Sequence, residues 1–345
     1  MANYELTSSA DLATVQAGLG FAKARLQGKV QPPNRALQRR LASGSAFTDE
    51  GTIVPVGYRS YPSVSAEGTL NPLFHYRAGH SPLVLGAGFP QYQFVKQTGV
   101  SYGATKSSNS LNVAISTDGA DVYFGIRGLS SLGVCAKVDG DYVSLTPLSV
   151  AANDGAIHYF KATLTGGKMQ DVEIIGNATC YFAGIWAPET AAVEAFPPKG
   201  PKVVWMGDSG IEPGGAFSIA QCFADAMGWD NVMGSGVGTT GVLNAGSYTK
   251  FRDRVASDIP IDADLVIISN TVNDSASLAA PLVAEWRLLI AAVRARAPQA
   301  EIWMTSPWSN RGGGYFVVQN YLNNDACRAL AAELGLLYTD WLEQP

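Results

Sequence analysis

Ser209 is the residue whose type and setting best suit nucleophilic chemistry. It ends the segment VVWMGDS, residues 203–209, in which an apolar run is followed by Gly-Asp-Ser. The sequence predicts a helix from near Gly214, so Ser209 would lie close to a helix N-terminus, whose amides stabilise an alkoxide or an oxyanion. The same tripeptide also suits a helix N-cap, with Asp208 or Ser209 accepting from the first-turn amides. Taken alone, the tripeptide leaves catalysis and capping open.

Two later segments offer groups that could hold an oxyanion. GSGVGTTG, residues 234–241, follows a short predicted strand, and glycines such as Gly238 let a backbone amide approach a ligand closely. NTVND, residues 270–274, ends another apolar strand, where Asn273 can aim its side-chain amide at the developing charge. Asp274, like Asp208, is interpreted as bracing its loop. The ordinary alternatives are a flexible loop and a turn with local hydrogen bonds.

Residues 201–345 predict a parallel sheet covered by helices. Uniformly apolar segments (KVVWMGD, ADLVIISN, AEIWMTS, LLYTD) alternate with amphipathic ones (GAFSIAQCFADAMGW, LAAPLVAEWRLLIAAVRARA, VVQNYLNNDACRALAAELG). In such sheets the reactive groups gather beyond the carboxyl ends of the strands. Ser209, Gly238, Asn273 and Asp340 all fall at or just after predicted strand ends, so the fold would bring them to one edge.

Residues 47–200 predict an all-β domain, a β-sandwich of the jelly-roll type. LNVAISTDGADVYFGIRG, VCAKVDGDYVSL and HYFKATLTGGKMQDVEIIG alternate apolar and polar residues around D-G or G-G turns, as in β-hairpins, and CYFAGIWA adds a strand. FPPKGPK, residues 196–202, is a stiff linker that marks the domain boundary.

Residues 1–46 predict a basic N-terminal arm with two short helical patterns, ADLATVQAGLGFAKARLQ and NRALQRRLAS. Two interpretations are open for it: a solvated segment, and a segment that docks onto a larger assembly.

The composition excludes several classes of function. The net charge of −5 gives no reason to expect nucleic acid as the main partner. No apolar run approaches the roughly 20 residues that span a bilayer, and the N-terminus lacks a signal-peptide pattern. Four cysteines without a C-x-x-C pair argue against a zinc or redox site, so we expect no metal and no organic cofactor. Cys222 and Cys327 fall within predicted helices and are expected to be buried free thiols.

In this order and spacing, the segments MGDS, SGVGTTG and TVND resemble the SGNH, or GDSL-type, hydrolases. The resemblance covers residues 201–345 and implies a three-layer, flavodoxin-like α/β domain. It also implies that Ser209 is the nucleophile, and that the amides of Ser209 and Gly238 and the side chain of Asn273 form the oxyanion hole. AMGWDNVMGSGVGTTGVLN is similar to the matching stretch of members with an added β-domain. The order of domains, with a β-domain ahead of such a domain, resembles that of polysaccharide deacetylases and some phage tail proteins.

The sequence departs from the family pattern at two places. Thr271 stands where the family's G-x-N-D block has glycine. The family's D-x-x-H-P block, which supplies the catalytic histidine and its acid, has no match: a literal match at Asp340 would put Glu343 at the histidine position. Asp340 instead resembles the aspartate that ends the preceding strand.

Three explanations are therefore open for the missing histidine that would act as base for Ser209. The block could follow residue 345, or the fold could serve a binding role without turnover. The third explanation is rescue by another subunit or by one of the three histidines of the chain: His75, His80 and His158.

We expect a serine esterase, and specifically O-deacetylation of a carbohydrate or polysaccharide. The alternative is a virion or tail protein that binds glycans with an inactive hydrolase domain. A virion-associated or extracellular location and a cytoplasmic one both stay open, as does oligomerisation. In the loop SPWSNRGGGYF, Trp308 is a candidate for substrate contact, and Arg311 for contact with an anionic sugar.

Overall fold

The computed structural model describes residues 41–64, 69–76, 80–83, 94–97, 111–128, 132–150, 156–176, 180–211, 218–246, 248–275, 277–306 and 318–340. The predicted arm up to residue 40 lies outside these ranges, as do Trp308, Arg311 and Glu343. His80 is described only by its backbone.

Short strands fill the described chain before the linker. They are β1 (Ala46–Asp49), β2 (Tyr58–Pro62), β3 (His75–Tyr76), β4 (His80–Leu83), β5 (Phe94–Gln97), β6 (Leu111–Thr117), β7 (Asp121–Gly128), β8 (Leu132–Val138), β9 (Asp141–Tyr142), β10 (Leu148–Val150), β11 (His158–Thr163), β12 (Gln170–Gly176), β13 (Cys180–Pro188) and β14 (Val193–Ala195).

These strands form two antiparallel sheets. One has the order β1-β11-β7-β13-β5-β4, with β2 also paired to β13. The other has the order β10-β8-β12-β6-β14, with β3 paired to β6 and β9 to β8. Phe124 and Phe182 of the first sheet and Ile115 and Ile174 of the second belong to one buried apolar cluster, so the two sheets share a core.

Only one of the three predicted hairpins forms. Val138 pairs with Asp141 across the Asp139-Gly140 turn, whose φ angles of 53° and 82° suit a two-residue hairpin turn. The other two predictions are wrong, because β6 and β7 lie in different sheets and so do β11 and β12. Period-two alternation reports that one face of a strand is buried, but it does not identify the strand's partner.

The chain after the linker alternates strands and helices around a parallel sheet. Its elements are β15 (Val203–Gly207), α1 (Ile219–Met227), β16 (Val232–Gly236), α2 (Phe251–Asp258), β17 (Leu265–Ser269), α3 (Ala279–Arg296), β18 (Glu301–Thr305), α4 (Val318–Leu334) and β19 (Leu337–Thr339). The strand order is β16-β15-β17-β18-β19, with every pair parallel. This is the doubly wound order 2-1-3-4-5 of flavodoxin-like folds. The predicted α/β architecture of this part is therefore confirmed.

Helix α1 begins at Ile219 rather than near Gly214. Its N-cap is Ser218, whose hydroxyl accepts the amide hydrogen of Gln221. Residues 212–217, which connect Ser209 to this helix, lie outside the described ranges, so the support of Ser209 by first-turn amides stays a prediction. Cys222 of α1 is exposed, contrary to the prediction, whereas Cys327 of α4 is buried.

A polar cluster joins α1 to the antiparallel sheets. Asp225 accepts from the ammonium of Lys137 and, at 2.8 Å, from the hydroxyl of Tyr142. Asn112 donates to Gln221 at 3.1 Å, and Gln221 donates to Asp225 at 2.8 Å. Lys137 is only 4% exposed, and its charge is compensated by Asp225 and by Glu173, whose Oε2 lies 3.8 Å from the ammonium.

No helix in the described ranges combines the length and apolar character needed to cross a lipid bilayer.

Candidate active site

The three candidate segments meet at the carboxyl edge of the parallel sheet. Ser209 follows β15 and Gly238 follows β16, while Asn273 lies in a short 3-10 helix, Val272–Asp274, that follows β17. Because β15 lies between β16 and β17, the three segments leave neighbouring strands at the point where the strand order reverses. Open α/β sheets bind their ligands at this position.

The backbone around Ser209 directs its amide away from the turn that follows β15. The carbonyl of Asp208 accepts from the amide of Ile211 at 3.1 Å, in a tight turn. Since the peptide unit is planar and trans, the amide of Ser209 points the opposite way from that carbonyl. The side chain of Ser209 is exposed, and no described residue accepts its amide hydrogen or bonds to its hydroxyl.

Gly238 has the same arrangement at the end of β16. The amide of Val237 donates to the carbonyl of Gly207 at 3.2 Å, which extends the parallel ladder past the strand end. The carbonyl of Val237 accepts from Thr240, at 3.3 Å from its amide and 2.7 Å from its hydroxyl. The amide of Gly238 therefore faces away from this turn, and among the described residues it has no acceptor.

Asn273 is held by its backbone and by its side chain. Its amide Nδ2 donates to the carbonyl of Thr240 at 2.8 Å and lies 3.4 Å from Oδ2 of Asp208. Its backbone amide donates to the hydroxyl of Thr271 at 3.0 Å, as in a capped turn. These contacts connect the third segment to the first two.

Asp208 links its own turn to the 270–274 segment. Its Oδ1 accepts from the amide of Gly210 at 2.9 Å, and its Oδ2 accepts from the hydroxyl of Thr271 at 2.5 Å. The carboxylate is buried, so these hydrogen bonds replace its hydration.

The carboxylate of Asp274 organises the loop that follows Gly238. It accepts from the amides of Val242 at 2.7 Å, Asn244 at 2.9 Å and Leu243 at 3.3 Å. Gly241 permits this approach, because a Cβ at that position would lie 2.5 Å from a carboxylate oxygen. Asp274 is 1% exposed, and burial raises its pKa above the ordinary value although the three amides act in the opposite direction.

Sequence reasoning missed Arg254, which lies under the strand ends. Its guanidinium is fully buried and donates to the carbonyl of Gly207 at 3.1 Å and to that of Ser235 at 3.4 Å. It pairs with the fully buried Asp258 at 3.3 Å, and Asp258 also accepts from the hydroxyl of Ser235 at 2.7 Å. Apolar residues are the expected signal of burial, whereas a charged pair four residues apart on a helix ordinarily indicates a solvated face, so the sequence did not reveal this residue.

No family model and no curated protein matches the chain. Solved structures do. A family two carbohydrate esterase from Clostridium thermocellum, in complex with cellohexaose, aligns with a TM-score of 0.57 at 14% identity over 79% of this chain and 89% of its own. The salicylyl-acyltransferase SsfX3 from a tetracycline biosynthetic pathway aligns with a TM-score of 0.63 at 14% identity over 85% and 89%.

An acetyl xylan esterase, Est2A from Butyrivibrio proteoclasticus, aligns with a TM-score of 0.55 at 10% identity over 82% of this chain and 89% of its own. Together with the strand order, these alignments decide the architecture. The chain has an SGNH hydrolase-like fold. At these identities the likeness concerns the fold, and the chemistry depends on the residues at the strand ends.

Thr271, which stands where the resembled family has glycine, contributes hydrogen bonds to the third candidate segment. The hydroxyl of Thr271 caps the 3-10 helix that carries Asn273, and it also reaches Asp208 of the first block. Asp340 follows β19 and accepts from Asn324 at 2.7 Å and from the guanidinium of Arg328, both on α4.

The described histidine side chains contact other parts of the molecule. The ring of His75 packs against Phe196, with ring centroids 5.6 Å apart, and Nδ1 of His158 lies 3.6 Å from Asp49. No described contact joins either histidine to Ser209. The structure thus brings together the three candidate segments around Ser209, Gly238 and Asn273, and the source of a base stays a prediction.

Within the described ranges, no group of three or more His, Cys, Asp or Glu side chains is arranged to hold a metal ion.

Proposed function

We propose that this protein is a serine esterase of SGNH type that removes O-acetyl groups from a carbohydrate or polysaccharide. The observation that carries the proposal is the exposed Ser209 at the end of β15, together with two backbone amides, its own and that of Gly238 at the end of the adjacent strand. In each of these two peptide units, the carbonyl points the opposite way from the amide and accepts a hydrogen bond within a turn. Nδ2 of Asn273, at the neighbouring strand end, donates to the carbonyl of Thr240 at 2.8 Å and has a long contact of 3.4 Å with Asp208. The proton of that long contact would be the third donor.

The chemistry is acyl transfer in two steps. The hydroxyl oxygen of Ser209 attacks the acetyl carbonyl carbon while a base takes its proton, and the carbonyl oxygen becomes the oxyanion. The amides of Ser209 and Gly238 and Nδ2 of Asn273 stabilise that charge. The sugar oxygen leaves with a proton, and water then attacks the acetyl-serine, releasing acetate and restoring the hydroxyl.

We extend the proposal to the domain organisation. The shared core of the two antiparallel sheets supports a β-sandwich domain, of the jelly-roll type, over residues 47–200 ahead of the SGNH domain over 201–345. Such a module suits a role in holding polysaccharide near the esterase site. The arm over residues 1–46 would then dock the protein onto a larger assembly outside the cell or on a virion.

A second candidate is glycan binding without turnover. The contacts of His75 with Phe196 and of His158 with Asp49 favour it, because both rings already have partners other than Ser209. In this case the donors at the strand ends would bind an acyl or hydroxyl group of a glycan in its ground state.

Hydrolysis of p-nitrophenyl acetate by the wild type, Ser209→Ala and Ser60→Ala separates the two candidates. Ser60 is an exposed serine on β2 and serves as the matched control. An esterase loses turnover in the Ser209 variant alone. Equal rates in all three proteins would reject the esterase proposal and favour glycan binding.

Acetate release from acetylated xylan then tests the substrate class. Serine-dependent hydrolysis of the nitrophenyl ester without any release of acetate from the polysaccharide would keep the esterase and reject the carbohydrate substrate.

A further inference from the structure

The structure assigns Thr271 a positioning role: its hydroxyl keeps the side-chain amide of Asn273 available to the oxyanion. This inference rests on the proposed function, in which Asn273 is an oxyanion donor. Thr271 stands where the SGNH pattern has glycine, so its hydroxyl is an addition to the site.

The hydroxyl of Thr271 is the centre of a short relay. Thr271 is buried, and its oxygen accepts from the backbone amide of Asn273 at 3.0 Å. Its single proton has two acceptors within reach, Oδ2 of Asp208 at 2.5 Å and the carbonyl of Thr240 at 3.4 Å. The shorter, charge-assisted contact is the stronger, so the proton goes to Asp208. The relay runs from the Asn273 backbone through Thr271 to the carboxylate.

Asn273 and Thr271 compete for the same carboxylate oxygen. One proton of Nδ2 of Asn273 is held by the carbonyl of Thr240 at 2.8 Å. The other faces Oδ2 of Asp208 at 3.4 Å, which is longer than an ordinary N–H···O hydrogen bond. The hydroxyl at 2.5 Å is the stronger donor to Oδ2, and the amide contact with the same oxygen is long and weak. In the proposed reaction, this weakly held proton is the one that turns from Asp208 to the oxyanion.

Removal of the hydroxyl has a defined consequence. An unoccupied Oδ2 would attract the nearest remaining donor, which is Nδ2 of Asn273, because a buried carboxylate gains strongly from each donor. The amide would then be committed to Asp208 before the reaction starts. Loss of a donor that acts only in the transition state lowers kcat and leaves KM nearly unchanged.

The test compares Thr271→Val, which keeps the shape and removes the hydroxyl, with Thr271→Ser, which restores it. We expect T271V to lower kcat by roughly tenfold to a hundredfold, somewhat less than complete removal of an oxyanion donor, with KM little changed. T271S should recover most of the loss. If T271V does not fold, T271C gives the same comparison, since a thiol is a weak donor.

A second readout does not depend on catalysis. The side-chain NH₂ signals of Asn273 in the ¹⁵N–¹H spectrum are identified by their disappearance in Asn273→Asp. In T271V, or in T271C where that is the variant that folds, one of the two protons should move downfield as it bonds to the carboxylate, and T271S should return it.

The two readouts separate failure of the relay from failure of the proposed function. A wild type without Ser209-dependent turnover rejects the proposed function, and the spectrum still decides the relay. Unmoved Asn273 signals in the variant without the hydroxyl, or wild-type kcat in an active variant, would overturn the role of Thr271.

Discussion

The guanidinium of Arg254 donates to the carbonyl of Gly207, two residues before Ser209, from a position with no solvent exposure. The same side chain reaches the carbonyl of Ser235 near the end of β16, so one buried cation ties together the strands that lead to Ser209 and Gly238. A fully buried ion pair contributes little net stability compared with apolar residues of the same volume. Its value here is geometric, because it fixes two strand ends relative to each other.

Removing one charge of the Arg254–Asp258 pair should lower the free energy of unfolding strongly, whereas removing both charges should lower it much less. Arg254→Met leaves Asp258 buried and uncompensated, and we expect a loss of about 3–5 kcal/mol in the free energy of unfolding. The double variant Arg254→Met/Asp258→Leu should recover most of that loss. Urea denaturation measures both. A single variant that loses less than about 1 kcal/mol would contradict the view that Asp258 depends on Arg254.

Thr239 should gain stability when it is replaced by glycine. It has a φ angle of 67°, which is an unfavourable conformation for a β-branched residue, and it lies directly after Gly238. We expect Thr239→Gly to raise the melting temperature, because relief of roughly 1–3 kcal/mol of backbone strain exceeds the entropy that glycine adds to the unfolded chain.

The neighbouring Thr240 provides the matched control for that prediction. Thr240 is buried, and its hydroxyl donates to the carbonyl of Val237 at 2.7 Å. Thr240→Gly should therefore lower the melting temperature. A fall in melting temperature for both variants would show that Thr239 is not strained.

The buried carboxyl of Asp274 should make stability fall as pH rises. Because its pKa is raised in the folded state, the folded protein holds this proton at pH values where the unfolded chain has released it. The contribution to stability is therefore full below the unfolded pKa of about 3.8 and is lost as pH rises through the folded pKa.

Asp274→Asn removes this titration and provides the reference. The unfolding free energies of the wild type and D274N are measured with urea from about pH 4 to pH 8. The value for the wild type minus the value for D274N should decrease as pH increases. Asp253→Asn, at an exposed position on α2, controls for the loss of one carboxylate. A difference that moves in the wild type's favour would contradict the raised pKa.

The thiols of Cys222 and Cys327 should react at very different rates. Burial and the charge of Asp274 raise the pKa of Cys327 to about 12, so its thiolate is scarce at pH 8, whereas Cys222 is exposed on α1. Iodoacetamide labelling followed by peptide mapping should find Cys222 modified in the native protein and Cys327 modified only after denaturation. Equal labelling of both in the native protein would show that α4 does not bury Cys327.

The sequence by itself determined the elements whose signal is local. Uniformly apolar runs such as VVWMG and LVIIS predicted β15 and β17, because a strand buried on both faces excludes polar side chains. The fold then places any residue that follows such strands at one edge of the sheet, which is why Ser209, Gly238 and Asn273 could be named together before their contacts were known.

Only the tertiary structure decided which strands pair and which polar residues are buried. The turn at Asp118-Gly119 carries the chain from one antiparallel sheet to the other, although its alternating flanks are the same as those of a hairpin. Alternation reports burial of a face, and the partner depends on contacts between segments that are distant in sequence.

Helix α2 shows the same limit for polar residues. Its buried positions are Phe251, Arg254, Val255 and Asp258, which follow the helical period, but two of the four are charged. From the sequence, such a face is predicted to be exposed to solvent, because the burial of a charge is favourable only when its partner and acceptors are in place. Those acceptors are the carbonyls of Gly207 and Ser235, and only the packing of α2 under β15 and β16 provides them.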